Sequence, residues 1–163
     1  MYMEKLVDPF AGLAVARELA CEFFAVFSRF EYALKECGFL RNSRGRVEPD
    51  WDFYRISIEH QLALEPDSAI SKAIKYLMDM PPNVQMGRRE WSDEPVLKGN
   101  TAFGQAISAT QGVRNNLFHG GKHTPQEIAG RDELLVCSAL EVLKGCREID
   151  ENVRSAYNDP STC

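Results

Sequence analysis

From Phe10 to Leu34 apolar side chains return at helical spacing, at Phe10, Leu13, Ala14, Ala16, Ala20, Phe23, Phe24, Phe27, Phe30 and Leu34. A run this dense leaves too much apolar surface for a lone helix in water, so other helices must cover it. Asp8-Pro9 reads as its start, the aspartate capping free amides and the proline prearranged at the first helical position, and Gly38 as its left-handed stop. Phe23, Phe27, Phe30 and Phe39 read as packed core rather than a cofactor box. A second helix is expected from about Trp51 to Leu64, and a third from Asp67 or Ser68 until Pro81-Pro82 stops it. A fourth should run from Asn100 or Thr101 to Gly120-Gly121. Thr124-Pro125-Gln126-Glu127 is a capping box that would open the last helix through Ile128, Leu134, Leu135, Ala139, Val142 and Leu143. Residues 41–50 read as a loop and 83–100 as a long connection pinned by Trp91, and no strand alternation demands a sheet. The predicted fold is therefore all-α: an antiparallel helical bundle of about five helices, one domain over residues 1–158 with a disordered tail at 159–163.

A chain of 163 residues suffices for one core. Without a membrane-length apolar run or a basic-then-apolar leader in Met1 to Phe10, the expected location is the cytoplasm and no membrane partner is expected. Five cysteines (Cys21, Cys37, Cys137, Cys146 and Cys163) contain no CxxC pair, so they read as reduced thiols, four of them core fillers. A net charge of −5 excludes a protein that wraps nucleic acid over its whole surface. The acidity is concentrated late, with eight acids against four bases from Thr124 onward. Basic clusters remain at Arg41, Arg44 and Arg46 and at Arg88 and Arg89, where a polyanion could be attracted locally, although solvated loop charge is the plainer account of each.

Chemistry concentrates in Val113-Arg114-Asn115-Asn116-Leu117-Phe118-His119-Gly120-Gly121. Arg114 offers a permanently charged planar fork that matches phosphate oxygens, and His119 can give or take a proton near neutral pH. Neither role needs a metal. On an unbroken helix Arg114 and His119 are five apart and diverge by about 140°. Either the helix unwinds near Phe118-His119, or two copies meet about a twofold axis to complete one cleft. The small or polar stripe Gly104, Ser108, Gly112, Asn115 and His119 would let another helix, such as one from a second subunit, approach closely. Asn116 and Lys122 are further candidates for contacting substrate.

Arg-x4-His followed by glycine, late in a small helical protein, resembles the HEPN superfamily, as does the early helix Phe27-Ser28-Arg29-Phe30-Glu31-Tyr32-Ala33-Leu34-Lys35. The resemblance implies a metal-independent endoribonuclease with Arg114, Asn115 and His119 catalytic, acting as a homodimer joined near the helix that carries the motif. It implies attack of an RNA 2'-hydroxyl on the adjacent phosphorus, with His119 as general base or acid and Arg114 holding the oxygens that gain charge. The early helix looks like that of bacterial members linked to toxin and antiviral defence functions, so an antitoxin or regulatory protein is an expected partner. Members restrained by nucleotide transfer carry a tyrosine soon after the histidine, whereas Gly120, Gly121 and Lys122 follow here, so that restraint is not expected. Glu31 is a candidate ion partner for Arg114.

The competing expectation is a non-catalytic HEPN-type RNA- or protein-binding adaptor, in which Arg114 pairs with another helix and His119 meets the helix end. No cofactor is expected. His119 and His123 stand four apart like metal ligands, but glycines interrupt the helix and no Cys or carboxylate completes a set, so no metal site is expected. His60 reads as an ordinary partly buried histidine.

Overall fold

In the computed structural model, residues 8–88, 90–92, 94–118 and 128–159 are described. They form six helices and two short antiparallel hairpins. The chain is thus mostly helical, and the all-α expectation is corrected by the hairpins. None of the described helices is long and apolar enough to cross a membrane.

Helix α1 spans Arg17–Glu36 and starts later than Asp8-Pro9 suggested. Asp8 does accept an amide two residues on, from Phe10 at 3.0 Å, but Gly12 takes a positive φ of 78° and breaks the run. The entry is fixed instead by tertiary bonds, Arg17 to Asp8 at 2.7 Å and the Ala16 amide to Glu133 Oε1 at 3.2 Å. Phe23, Phe27 and Phe30 are buried as expected and Phe39 half-buried, whereas Phe24 faces outward, 57% exposed.

Strands β1 (Leu40–Ser43) and β2 (Arg46–Pro49) pair with Ser43 opposite Arg46. Arg44 and Gly45 between them both have positive φ, 50° and 77°, as a two-residue hairpin turn requires. The strands are too polar and exposed to alternate, which is why the segment reads as a loop. Helix α2, Trp51–Ile58, is capped by Asp50, which accepts from the Phe53 amide at 2.9 Å. Helix α3, Ala69–Asp79, is capped by Ser68 and ends before the prolines. Strands β3 (Val84–Gln85) and β4 (Trp91–Ser92) make the second hairpin inside the long connection.

Helix α4 is described over Ala102–Phe118. Thr101 caps it, Oγ1 accepting from the Gly104 amide at 3.0 Å. The capping box at Thr124–Glu127 lies outside the described residues, but Ile128 precedes the helix rather than joining it. Helix α5 runs Arg131–Ile149 behind Gly130 at φ 77°, and the last helical segment is divided by Asp150, which caps a separate α6 at Glu151–Asn158 through the Val153 amide at 3.0 Å. Leu135, Ala139, Val142 and Leu143 are buried, while Ile128 and Leu134 are exposed. Helix α5 packs against α1, α3, α4 and α6, so the core lies along its buried face. Arg29 of α1 donates to the carbonyls of Tyr157 and, at 3.1 Å, Asp159, so Asp159 is tied to α1 rather than loose.

Candidate functional site

Arg114, Asn115 and Asn116 occupy three directions on the last described turn of α4, so the helix itself gives them different surroundings. His119 and Lys122 lie outside the described residues.

The Arg114 guanidinium is half-buried. Its Cζ lies 5.7 Å from the centroid of Phe27 and the same distance from that of Phe118, within reach of both negative ring faces. Nη1 donates to Asn115 Oδ1 at 3.1 Å. The two rings and the amide hold a flexible side chain toward one place, with hydrogen-bonding capacity left over, since a guanidinium carries five N–H groups. Phe27 is anchored in turn by Trp51, centroids 5.2 Å apart, and Trp51 stacks on Phe30 at 5.5 Å.

Glu31 is not the ion partner of Arg114. Its Oε1 accepts the indole N–H of Trp51 at 3.0 Å, and no ion pair to Arg114 occurs among the described residues. Glu31 thereby fixes Trp51, which packs on Phe27, which packs on Arg114. The glutamate acts two side chains away from the arginine.

Asn116 is also placed differently from a substrate contact. It is 8% exposed, and its Nδ2 donates to the carbonyl of Asn83 at 2.6 Å. Arg131 fastens the same corner, Nη2 donating to Asn83 Oδ1 at 3.0 Å and to the Pro81 carbonyl at 2.6 Å. Buried amides need such partners. Asn116 holds the long connection to α4.

The small stripe of α4 is filled by the chain itself. A Cβ at Gly104 would overlap Glu59 Oε2, and one at Gly112 would lie 3.0 Å from Pro82 Cγ; between them Ser108 Oγ accepts from the Lys98 amide at 3.1 Å. The close approach expected from these small residues is real, but at 104, 108 and 112 the approaching groups come from this chain and not from a second subunit.

Two exposed phenyl rings, one against Arg114 and the other against the first, escaped the sequence reading. Phe118 is 42% exposed and meets Phe24 edge-on, centroids 5.5 Å apart. Phe24 reads as one of the apolar positions of the first helix because helical spacing counts such positions without showing which are covered. Arg88 is exposed; Arg89 lies outside the described residues.

Two of the described thiols are held toward the neutral form. Burial pushes Cys146 far up, with Asp150 adding to it, and Cys137 is raised by burial and then by Glu133, Glu22 and Glu141. Among the described residues Cys146 alone of the cysteines is buried; Cys37 is half-buried and Cys21 and Cys137 are exposed, which corrects the expectation of four core thiols. His60 is exposed, not partly buried. No group of three or more His, Cys, Asp or Glu able to hold a metal occurs among the described residues. Comparison with protein-family models, with curated proteins and with solved structures returns no match for this chain.

Proposed function

We propose that this chain is a HEPN-type, metal-independent endoribonuclease, a toxin or antiviral defence effector that works as a homodimer paired near α4. One observation carries the reading: the Arg114 guanidinium is held by two phenyl rings and the Asn115 amide near the last described turn of α4, five residues before His119. A cation restrained in advance stabilises charge growing on phosphate oxygens without reorganising at the moment of reaction. In the proposed reaction the RNA 2'-hydroxyl attacks the neighbouring phosphorus, His119 moves the proton, and the products end in a cyclic phosphate and a 5'-hydroxyl. Lys122 adds a phosphate contact, and Asn115 orients Arg114. Asn116 no longer belongs to the substrate-binding set.

The test is cleavage of RNA by purified protein with chelator present. The parent should cut, and Arg114→Ala and His119→Ala should abolish cutting while helical circular dichroism and the dimer mass are kept. Equal activity in parent and both variants would assign the signal to a contaminating nuclease. The adaptor reading draws on the same contacts, since an arginine satisfied by rings and an amide is also a structural arginine. An inert parent that still binds RNA or a protein would favour it.

A further inference from the structure

Asn115, which accepts from Arg114, lines an open groove with a cavity volume of about 280 Å³. Its walls come from the first hairpin, the start of α2, residues 95–98 and one face of α4. The side chains that matter are Arg41, Trp51, Asp52, Lys98, Gln111 and Asn115. Ser108, Gln111 and Asn115 are three and four residues apart and so share a helix face. Gly112 and Pro82 meet in the same lining, so no side chain from position 112 fills it.

We propose that this groove binds the nucleotide next to the scissile phosphate of single-stranded RNA. The inference rests on the ribonuclease reading above. Three observations support it. First, Asn115 lines the groove and accepts from Arg114 at 3.1 Å, so a strand whose phosphate meets Arg114 continues into this space. Second, Arg41 and Lys98 are the cations of the lining, two charges that a phosphodiester can take over from their carboxylate partners. Their present partners are exposed carboxylates, Asp52 for Lys98 at 2.6 Å and Glu48 for Arg41 at 3.5 Å, and surface pairs of this kind exchange at little cost. Third, the amides of Gln111 and Asn115 each offer both donor and acceptor, as base edges require. The volume lies near the lower end of ligand clefts, about 300–1,000 Å³, which fits a single nucleotide unit and not a duplex.

Affinity should be measured by fluorescence anisotropy with a short labelled oligonucleotide of 2'-O-methyl RNA, which lacks the attacking hydroxyl. Arg41→Ala with Lys98→Ala should weaken binding about tenfold or more, the loss expected when charge-assisted contacts go. It should also flatten the salt dependence by about 0.7 for each phosphate contact removed. Asp52→Asn should tighten binding, a gain that a merely structural role would not produce. Unchanged affinity in the double variant, equal affinity for duplex RNA, or a change in particle mass showing the groove to be a protein interface would each overturn the proposal. A parent that cuts unmodified RNA while the double variant binds and cuts normally sinks the groove and leaves the ribonuclease standing. A parent that never cuts, but whose binding falls with Arg41 and Lys98, does the reverse.

Discussion

Asn116 donates its side-chain amide to the backbone carbonyl of Asn83, 2.6 Å away and 33 residues earlier in the chain. Asn115, next to it, is exposed and bonded to Arg114. Removing the Asn116 amide strands a carbonyl in a buried corner, so Asn116→Ala should cost about 1–3 kcal/mol. Asn115→Ala should stay within about 0.5 kcal/mol of the parent, as surface changes do. Urea unfolding followed by circular dichroism checks both, with the midpoint falling for Asn116→Ala at an unchanged slope. Equal midpoints would show that the corner does not hold the connection.

Arg114→Lys separates charge from shape. An ammonium keeps the charge but loses the planar fork and much of its stacking on Phe27 and Phe118. The stability change should be about 1 kcal/mol, the scale of the lost ring contacts, while RNA cleavage in chelator should fall at least about tenfold, as expected when a positioned electrostatic donor is removed. Full cleavage by the lysine variant would show that any cation suffices at this position.

Glu59 is 3% exposed and joins α2 to the start of α4. It accepts from the Asn100 amide at 3.0 Å, from Asn100 Nδ2 at 3.1 Å and from Arg55 at 3.1 Å. Burial by itself would raise this carboxyl, but the Asn100 bonds and the Arg55 charge outweigh it and hold it below its ordinary value. A carboxyl depressed on folding gives stability that is present above its unfolded value of about 4.3 and is lost as pH falls through the folded value. The melting temperature should therefore drop on acidification below about pH 4, and Glu59→Gln should flatten that drop. Gly104→Ala should cost about 1–3 kcal/mol, because the new methyl takes the space of Glu59 Oε2. A flat acid limb in the parent would remove Glu59 as the acid-sensitive joint.

Sequence patterns disclosed the features that depend on near neighbours. Ser68 and the two prolines bound α3, and Thr101 opens α4, because caps and breakers act within one turn of the residue that carries them. Hairpin β1–β2 was illegible: Arg44-Gly45 is a weak turn signal, and the polar strands bury neither face. The early stop of α2 and the late start of α1 are tertiary effects, Glu59 turning to α4 and Gly12 breaking the entry. At the site, the nearness of Arg114 and Asn115 follows from adjacency, but the burial of Asn116 depends on Asn83 and Arg131. Glu31 is expected to pair with Arg114, but its partner is the Trp51 indole, a group that charge matching does not consider.

Gly145 of α5 tests how α3 and α5 fit. A Cβ there would overlap Cδ1 of Ile70, the flexible tip of a half-buried side chain. Replacing glycine by alanine inside a helix gains about 1 kcal/mol, so Gly145→Ala sets that gain against displacement of the Ile70 tip. The single variant should be neutral or mildly destabilised. In an Ile70→Val background Cδ1 is gone, and the same alanine should then raise stability by about 1 kcal/mol. The coupling between the two sites, about 0.5 kcal/mol or more for residues in contact, is read from a double-mutant cycle in urea. Strict additivity would mean that the helices already leave room at Gly145.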